Sequence, residues 1–379
     1  MRRLSVLLVA LALIASGAAS AGPSQGGYSS DNVEYVGFVP FEVGTATGAS
    51  VFGKYLIVTG WRSFSIYDIS YPEEPELITI VPFGFKFENE DVATDGEIML
   101  FSEEAPGDAL HVWNVEDKSN PVEVATVQTA GDHTATCILR CRYSYGSDGS
   151  IVDLRDPAKA ELVGNWHEKL GIENRIHDVD EFRNGYIVVG AFEGPIMLVD
   201  VRDPLAPRLV VSAEPPKLRD EAFAAGANVH NTRWPRQGKD RILMAQGGSN
   251  LAQAQCDDGT RNFWTFDASR WEDRGVLKLT DEYNPGSGAP TDGRYPASTC
   301  STHWFQPHPD FHNGGLVAVA YYDLGTRFLD IAANGKIEEA GWFLPYAGVT
   351  SATYWVSDEL VYAIDYSRGF DILRLNGSA

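Results

Sequence analysis

Cysteine and positive charge are scarce in this 379-residue sequence. Four cysteines are present, and 30 lysines and arginines stand against 52 aspartates and glutamates, a formal charge of −22. After the first two dozen residues no apolar run is long enough to span a bilayer. A G-x-S-x-G elbow, a phosphate-cradling glycine loop and an H-E-x-x-H helix are all missing. These absences exclude several classes. A surface so negative repels phosphate backbones and anionic membranes, so neither nucleic acid nor membrane insertion is expected. It reads as a well-solvated secreted surface, or as a field that attracts cations.

The opening stretch "MRRLSVLLVALALIASGAASAGPS" has two arginines, an apolar run and then small residues. Ala19-Ser20-Ala21 suits a signal-peptidase site. The expected organisation is a signal peptide over 1–21, a flexible segment over 22–31 and one folded domain over 32–377. The mature protein is expected to be secreted and monomeric. Outside the cell, four cysteines suggest two disulfides. Cys137 and Cys141 lie four apart in "CILRC", a tight hairpin, which leaves Cys256 with Cys300. A metal-thiolate cluster is the alternative, disfavoured by the spacing.

What the sequence does have is a repeat. "FSIYDISYPEEPELITIVPF" (64–83), "LHVWNVEDKSNPVEVATV" (110–127), "GSIVDLRDPAKAELVGNW" (149–166) and "PIMLVDVRDPLAPRLVVS" (195–212) share one pattern. Weaker copies follow at 262–279, 326–343 and 369–379. The recurring polar position is Asp68, Asn114, Asp153, Asp200, Asp267, Asp330 and finally Arg374. A period of about 40–50 residues with four short strands per unit, here a to d, is a propeller signature. Proline and aspartate suit the corner between strands c and d. The last unit stops after its c strand, whereas "NVEYVGFVPF" (32–41) matches the d strand "EPELITIVPF" (74–83). The expected fold is therefore an all-β, seven-bladed β-propeller whose last blade is closed by the N-terminal strand. "MLVDVRDP" (197–204) and "IVDLRDP" (151–157) resemble the LVIVD-repeat family. The resemblance implies a propeller-like repeat and no particular reaction. Units five to seven depart from it by losing the Asp-Pro step.

Aligned on their c strands, four units begin their a strand with histidine: His133, His177, His230 and His303. Unit two has Glu90 there, and units one and seven have small residues near Ala49 and Ser351. In a propeller the a strands line the channel, so these five side chains would converge at one mouth. Four imidazoles and a carboxylate suit Zn, Cu, Fe or Ni. Asp178 is the candidate to hold a ligating imidazole from behind. The b–c loops at the same mouth add Arg62, Glu193, Asp323, Arg327, Asp365 and Arg368, besides Glu103, Glu104 and Asp148. The three arginines come from blades without the histidine, and would make one side basic enough to hold a carboxylate or phosphate.

Three readings stay open. The first is a secreted binding protein with a histidine-rich metal site and a protein or small anionic ligand as partner. The second is an extracellular metal-dependent oxidoreductase using an open coordination position. The third is a metal-free interaction scaffold in which the repeated histidine is a duplicated hydrogen-bonding device.

Overall fold

The middle strands of each repeat are apolar on both faces, and that dictates their surroundings. In unit one Leu56, Ile57 and Val58 are consecutive and all but inaccessible. Alternate side chains of a strand point to opposite faces, so both faces of this sheet must be covered. Other copies of the same sheet provide the cover.

The structure, a computed structural model, describes residues 25–41, 45–87, 90, 92–192, 194–213, 229–247, 262–285 and 301–377. Strands β1 (Gly27–Ser29) and β2 (Val33–Pro40) precede the first complete blade. Blade one is β3 (Ala46–Phe52), β4 (Tyr55–Gly60), β5 (Ser63–Asp68) and β6 (Glu76–Pro82). Blade two is β7 (Ile98–Glu103), β8 (Ala109–Asn114) and β9 (Val122–Gln128). Blade three is β10 (Ala135–Ile138), β11 (Tyr143–Gly146), β12 (Ser150–Asp153) and β13 (Glu161–Asn165). Blade four is β14 (Ile176–Arg183), β15 (Tyr186–Ala191), β16 (Ile196–Asp200) and β17 (Arg208–Ala213). Blade five is β18 (Val229–Arg233), β19 (Ile242–Gly247), β20 (Phe263–Arg270) and β21 (Val276–Tyr283). Blade six is β22 (Thr302–Pro307), β23 (Gly315–Tyr321), β24 (Gly325–Ile331) and β25 (Ile337–Pro345). Blade seven is β26 (Thr350–Trp355), β27 (Leu360–Asp365) and β28 (Gly369–Leu375), with β2 as its outer strand. The fold is the expected seven-bladed propeller, and β2 closes the ring by pairing antiparallel with β28, Val33 opposite Leu375 and Pro40 opposite Gly369.

The apolar core is divided seven ways, one cluster to each junction between blades. Ile57, Phe64 and Ile66 of blade one meet Met99 and Phe101 of blade two. Leu56, Val58 and Tyr67 turn the other way onto Leu360, Tyr362 and Phe370 of blade seven. The same two-sided division continues round the ring. Threonines on inner strands add cross-blade hydrogen bonds: Thr134 to the His177 carbonyl at 2.5 Å, Thr136 to Val179 at 2.8 Å and Thr353 to Ala318 at 2.9 Å.

The recurring acidic position has a local cause. Asp68, Asp153, Asp200 and Asp267 each accept the backbone N–H two residues on, at 2.8–3.1 Å, and Asn114 does the same. This Asx turn sets the corner to the outer strand.

Two expectations need correction. Residues 27–29, read as part of a flexible segment, form a fifth strand on the outer edge of blade six, Gly27 opposite Pro345. Glycine is required there, because a Cβ would lie 2.1 Å from the Leu344 carbonyl oxygen. The inner segment of blade two is not a regular strand and pairs only through a bridge from Thr94 to Met99. The Cys137–Cys141 disulfide is present, with the Cα atoms 4.4 Å apart. The Cys256–Cys300 pairing and the segment 1–21 lie outside the described residues. Among the described residues no helix is long and apolar enough to cross a membrane.

A chain beginning at residue 42 lacks β1 and β2, leaving β28 an open edge and uncovering Leu373 and Leu375 of the blade six–seven cluster. We expect it to lose its cooperative thermal transition and to aggregate, because the lost closure is comparable with a domain's whole net stability. Circular dichroism melts and size-exclusion chromatography check this; a melt within a few degrees of the full chain would show the closure to be dispensable.

Candidate metal centre

The slot that carries the histidines is a β-bulge. Pairing of the inner strand with its neighbour slips by one residue in β3 between Ala46 and Gly48, and in β14 between Ile176 and Val179. It slips equally in β18 after Val229, in β22 after Thr302 and in β26 after Thr350. The next residue in each case is Thr47, His177, His230, His303 or Ser351. A bulge breaks the ladder and re-aims a side chain, here toward the channel. In blade one the slot is therefore Thr47, not the neighbourhood of Ala49. His133 lies just before β10, and Glu90 on the irregular inner segment of blade two.

The structure brings Glu90, His133, His177, His230 and His303 together. The Nε2 atoms of His303, His133 and His177 lie 2.9, 3.6 and 3.6 Å from Glu90 Oε2. Ring centroids run 4.6 Å from His133 to His177, 3.5 Å from His177 to His230 and 4.7 Å from His230 to His303. Two donor groups, Glu90–His133–His177 and Glu90–His230–His303, each fall within 4.8 Å. With bonds of about 2.0–2.1 Å, neighbouring donors around a tetrahedral ion are about 3.3 Å apart, so the spacing within each group could admit an ion.

Four of the five side chains are held from behind, each by a different group. His303 Nδ1 meets the Ser351 carbonyl, His230 Nδ1 the Gln246 amide at 3.2 Å and His133 Nδ1 the Glu104 carboxylate at 2.8 Å. The Tyr366 hydroxyl donates to Glu90 Oε1, leaving Oε2 to the imidazoles. His177 Nδ1 is buried without a hydrogen-bond partner. Trp304 packs about equally against His177, His230 and His303, with centroids at 6.3, 6.0 and 6.3 Å. Tyr322 lies along the His303 ring at 4.5 Å.

Burial holds the imidazoles of His177 and His230 well below the usual histidine range, and neighbouring rings add to it. Both are thus neutral near pH 7, the state that ligates. Burial alone would push the Glu90 carboxyl up, but His303 and His133 outweigh it and hold it well below the ordinary value. The hydrogen bond from His133 likewise lowers Glu104.

Other expected site residues are placed elsewhere. Asp178 is buried, but its partner is Arg233 Nη1 at 3.1 Å, not an imidazole. The bulge turns it down the channel, where Arg233 also lies 3.7 Å from Asp180 and over the Trp304 ring. Arg62 is exposed and lies over Phe85. Arg327 is buried against Trp342 and Glu339 on the outer strand of its own blade. Arg368 is buried between Asp365 and Asp371, which accounts for both Arg368 and Asp365. Asp323 sits half-buried beside Tyr322. Glu193 lies outside the described residues. The cation whose field reaches the cluster is Arg175, acting on both Glu104 and His230. Sequence reasoning assigned no role to Arg175, Gln246, Trp304 or Tyr366, although Tyr366 recurs as Tyr322 at the same b–c position of blade six.

These features define a β-propeller with a buried histidine–glutamate cluster at one channel mouth. Residues 43–82, blade one with its lead-in, match the LVIVD repeat. In shape the chain is similar to the β-propeller domain of Cps50 (Swd1) from Myceliophteria thermophila, with a TM-score of 0.58 over 89% of this chain and 98% of that one. Identity is 13%, so the likeness concerns the fold alone. No curated protein matches the sequence.

Burial pushes the Asp180 carboxyl up to about 6. The folded state then binds this proton more tightly than the unfolded chain, so stability falls as pH rises from about 4 to 6. Asp180→Asn should therefore stabilise the protein at pH 8 relative to pH 4. The full shift corresponds to about 3 kcal/mol, and residual solvent contact reduces the expected gain to about 1 kcal/mol. Urea unfolding at the two pH values tests this; an equal effect at both would contradict it.

Proposed function

We propose that this protein is an exported β-propeller that holds one transition-metal ion at its channel mouth through His133, His177, His230, His303 and Glu90. The observation that carries the reading is the convergence of the three Nε2 atoms on one oxygen of Glu90 at 2.9–3.6 Å. A duplicated structural device would predict the same hydrogen bond in every blade. Instead His303, His230 and His133 keep different partners behind them, while the Nε2 atoms of His303, His133 and His177 share Glu90 Oε2. The unpartnered Nδ1 of His177 also speaks against a purely structural ladder, since a buried polar atom left alone costs about 1–3 kcal/mol.

Nitrogen-rich donors with one carboxylate suit Zn, Cu, Fe or Ni better than calcium or magnesium, which take oxygen. Gln246 Nε2 faces His230 Nδ1 at 3.2 Å while its Oε1 lacks a partner among the described residues; turning the amide over would let Oε1 accept from Nδ1–H and leave the His230 Nε2 lone pair free. Five protein donors exceed the three of catalytic zinc sites. This supports holding an ion over turning over a substrate, and makes binding the leading reading. Arg175 at the mouth is the group that would favour a small anionic ligand there.

Protein purified without an affinity tag and dialysed against zinc should carry close to one ion per chain by elemental analysis. His177→Ala combined with His230→Ala should abolish it with the fold retained by circular dichroism. Absence of metal from the unmodified protein would overturn the reading.

A further inference from the structure

The five donors are not equally enclosed. The side chains of Glu90, His177 and His303 are 1–4% accessible, against 16% for His133 and 36% for Glu104 behind it. The other three imidazoles sit on strands β14, β18 and β22, above Trp304. His133 precedes its strand, and its Nδ1 is held by a carboxylate at the start of the blade-two b–c turn. An ion therefore meets His133 on the solvent side and the other ligands within.

We propose that His133 and Glu104 form the latch of the site: His133 is the last ligand to close on an incoming ion and the first to leave, and Glu104 sets how long it stays. This rests on the metal reading above. The chemistry is direct. A carboxylate accepting Nδ1–H fixes the ring's tautomer and orientation and makes Nε2 a better donor, and loss of such a partner typically weakens metal binding about 10–100-fold. Glu104 does not touch the ion and is a positioning residue. Its neighbour Glu103 turns the opposite way, onto His111 Nε2 at 2.7 Å and Lys86 Nζ at 2.7 Å, which anchors the turn from its other side.

The experiment loads the full-length mature protein with zinc and mixes it with excess chelator in a stopped-flow instrument. Glu104→Gln should release zinc about tenfold faster than the unmodified protein, and Glu104→Ala faster still. Zinc stoichiometry and the thermal melt of the metal-free protein should not change. Arg62→Ala, on the blade-one loop, serves as the control and should release at the unmodified rate. Cobalt(II) provides a second readout, since loosening His133 should alter its visible absorption. One zinc per chain with the same release rate in all variants would overturn the latch and leave the metal site standing. No zinc on the unmodified protein would overturn both.

Discussion

A sheet that is apolar on both sides cannot stop growing until something covers its last face. Here that constraint is met by a ring in which each blade is the cover of the next. The apolar clusters lie between blades, so no blade has a core of its own. Closure then matters more than any single contact, because one missing strand leaves one junction open and each junction leans on its neighbours. The β2–β28 pairing joins the two ends of the chain within one blade. The placement of the histidines follows from the same geometry, since only a closed ring brings the starts of its inner strands to one axis.

Within that frame the cluster is an electrostatic compromise. Burial makes imidazolium costly and keeps His177 and His230 neutral, while Glu90 stays ionised because imidazoles surround it. An ionised carboxylate deep in a channel, beside the neutral His177 and His230, favours a cation more than it favours water. Glu104 extends this charge outward through His133, while Arg175 keeps the rim from being purely acidic.

The fold and the five clustered residues were legible because each is repeated. The aspartate or asparagine at five of the corners is visible in sequence since its Asx turn needs only the residue two positions on. The histidines were legible for the same reason: one slot, filled five times with ligand-type residues. What failed depended on which face a side chain takes once strands are paired. Asp178 follows a histidine directly, but the bulge sends it down the channel to Arg233. Arg327 and Arg368 lie on or beside c strands and are taken up within their own blades by Glu339 and by the pair Asp365 and Asp371. Glu104 was visible as a loop carboxylate, yet nothing in the sequence says that it reaches His133 of the next blade. Partners across a blade junction are set by tertiary approach, and no periodicity encodes them.

The bulge has a consequence for how such a centre changes. It fixes an address in the backbone and leaves the occupant free, so Thr47 and Ser351 hold the same kind of post as the three histidines on bulges. Chemistry at this mouth can be rewritten one codon at a time, with no loop rebuilt and no strand displaced. Five such posts round one axis amount to a keyboard on which duplication copies the keys and point substitution chooses the notes.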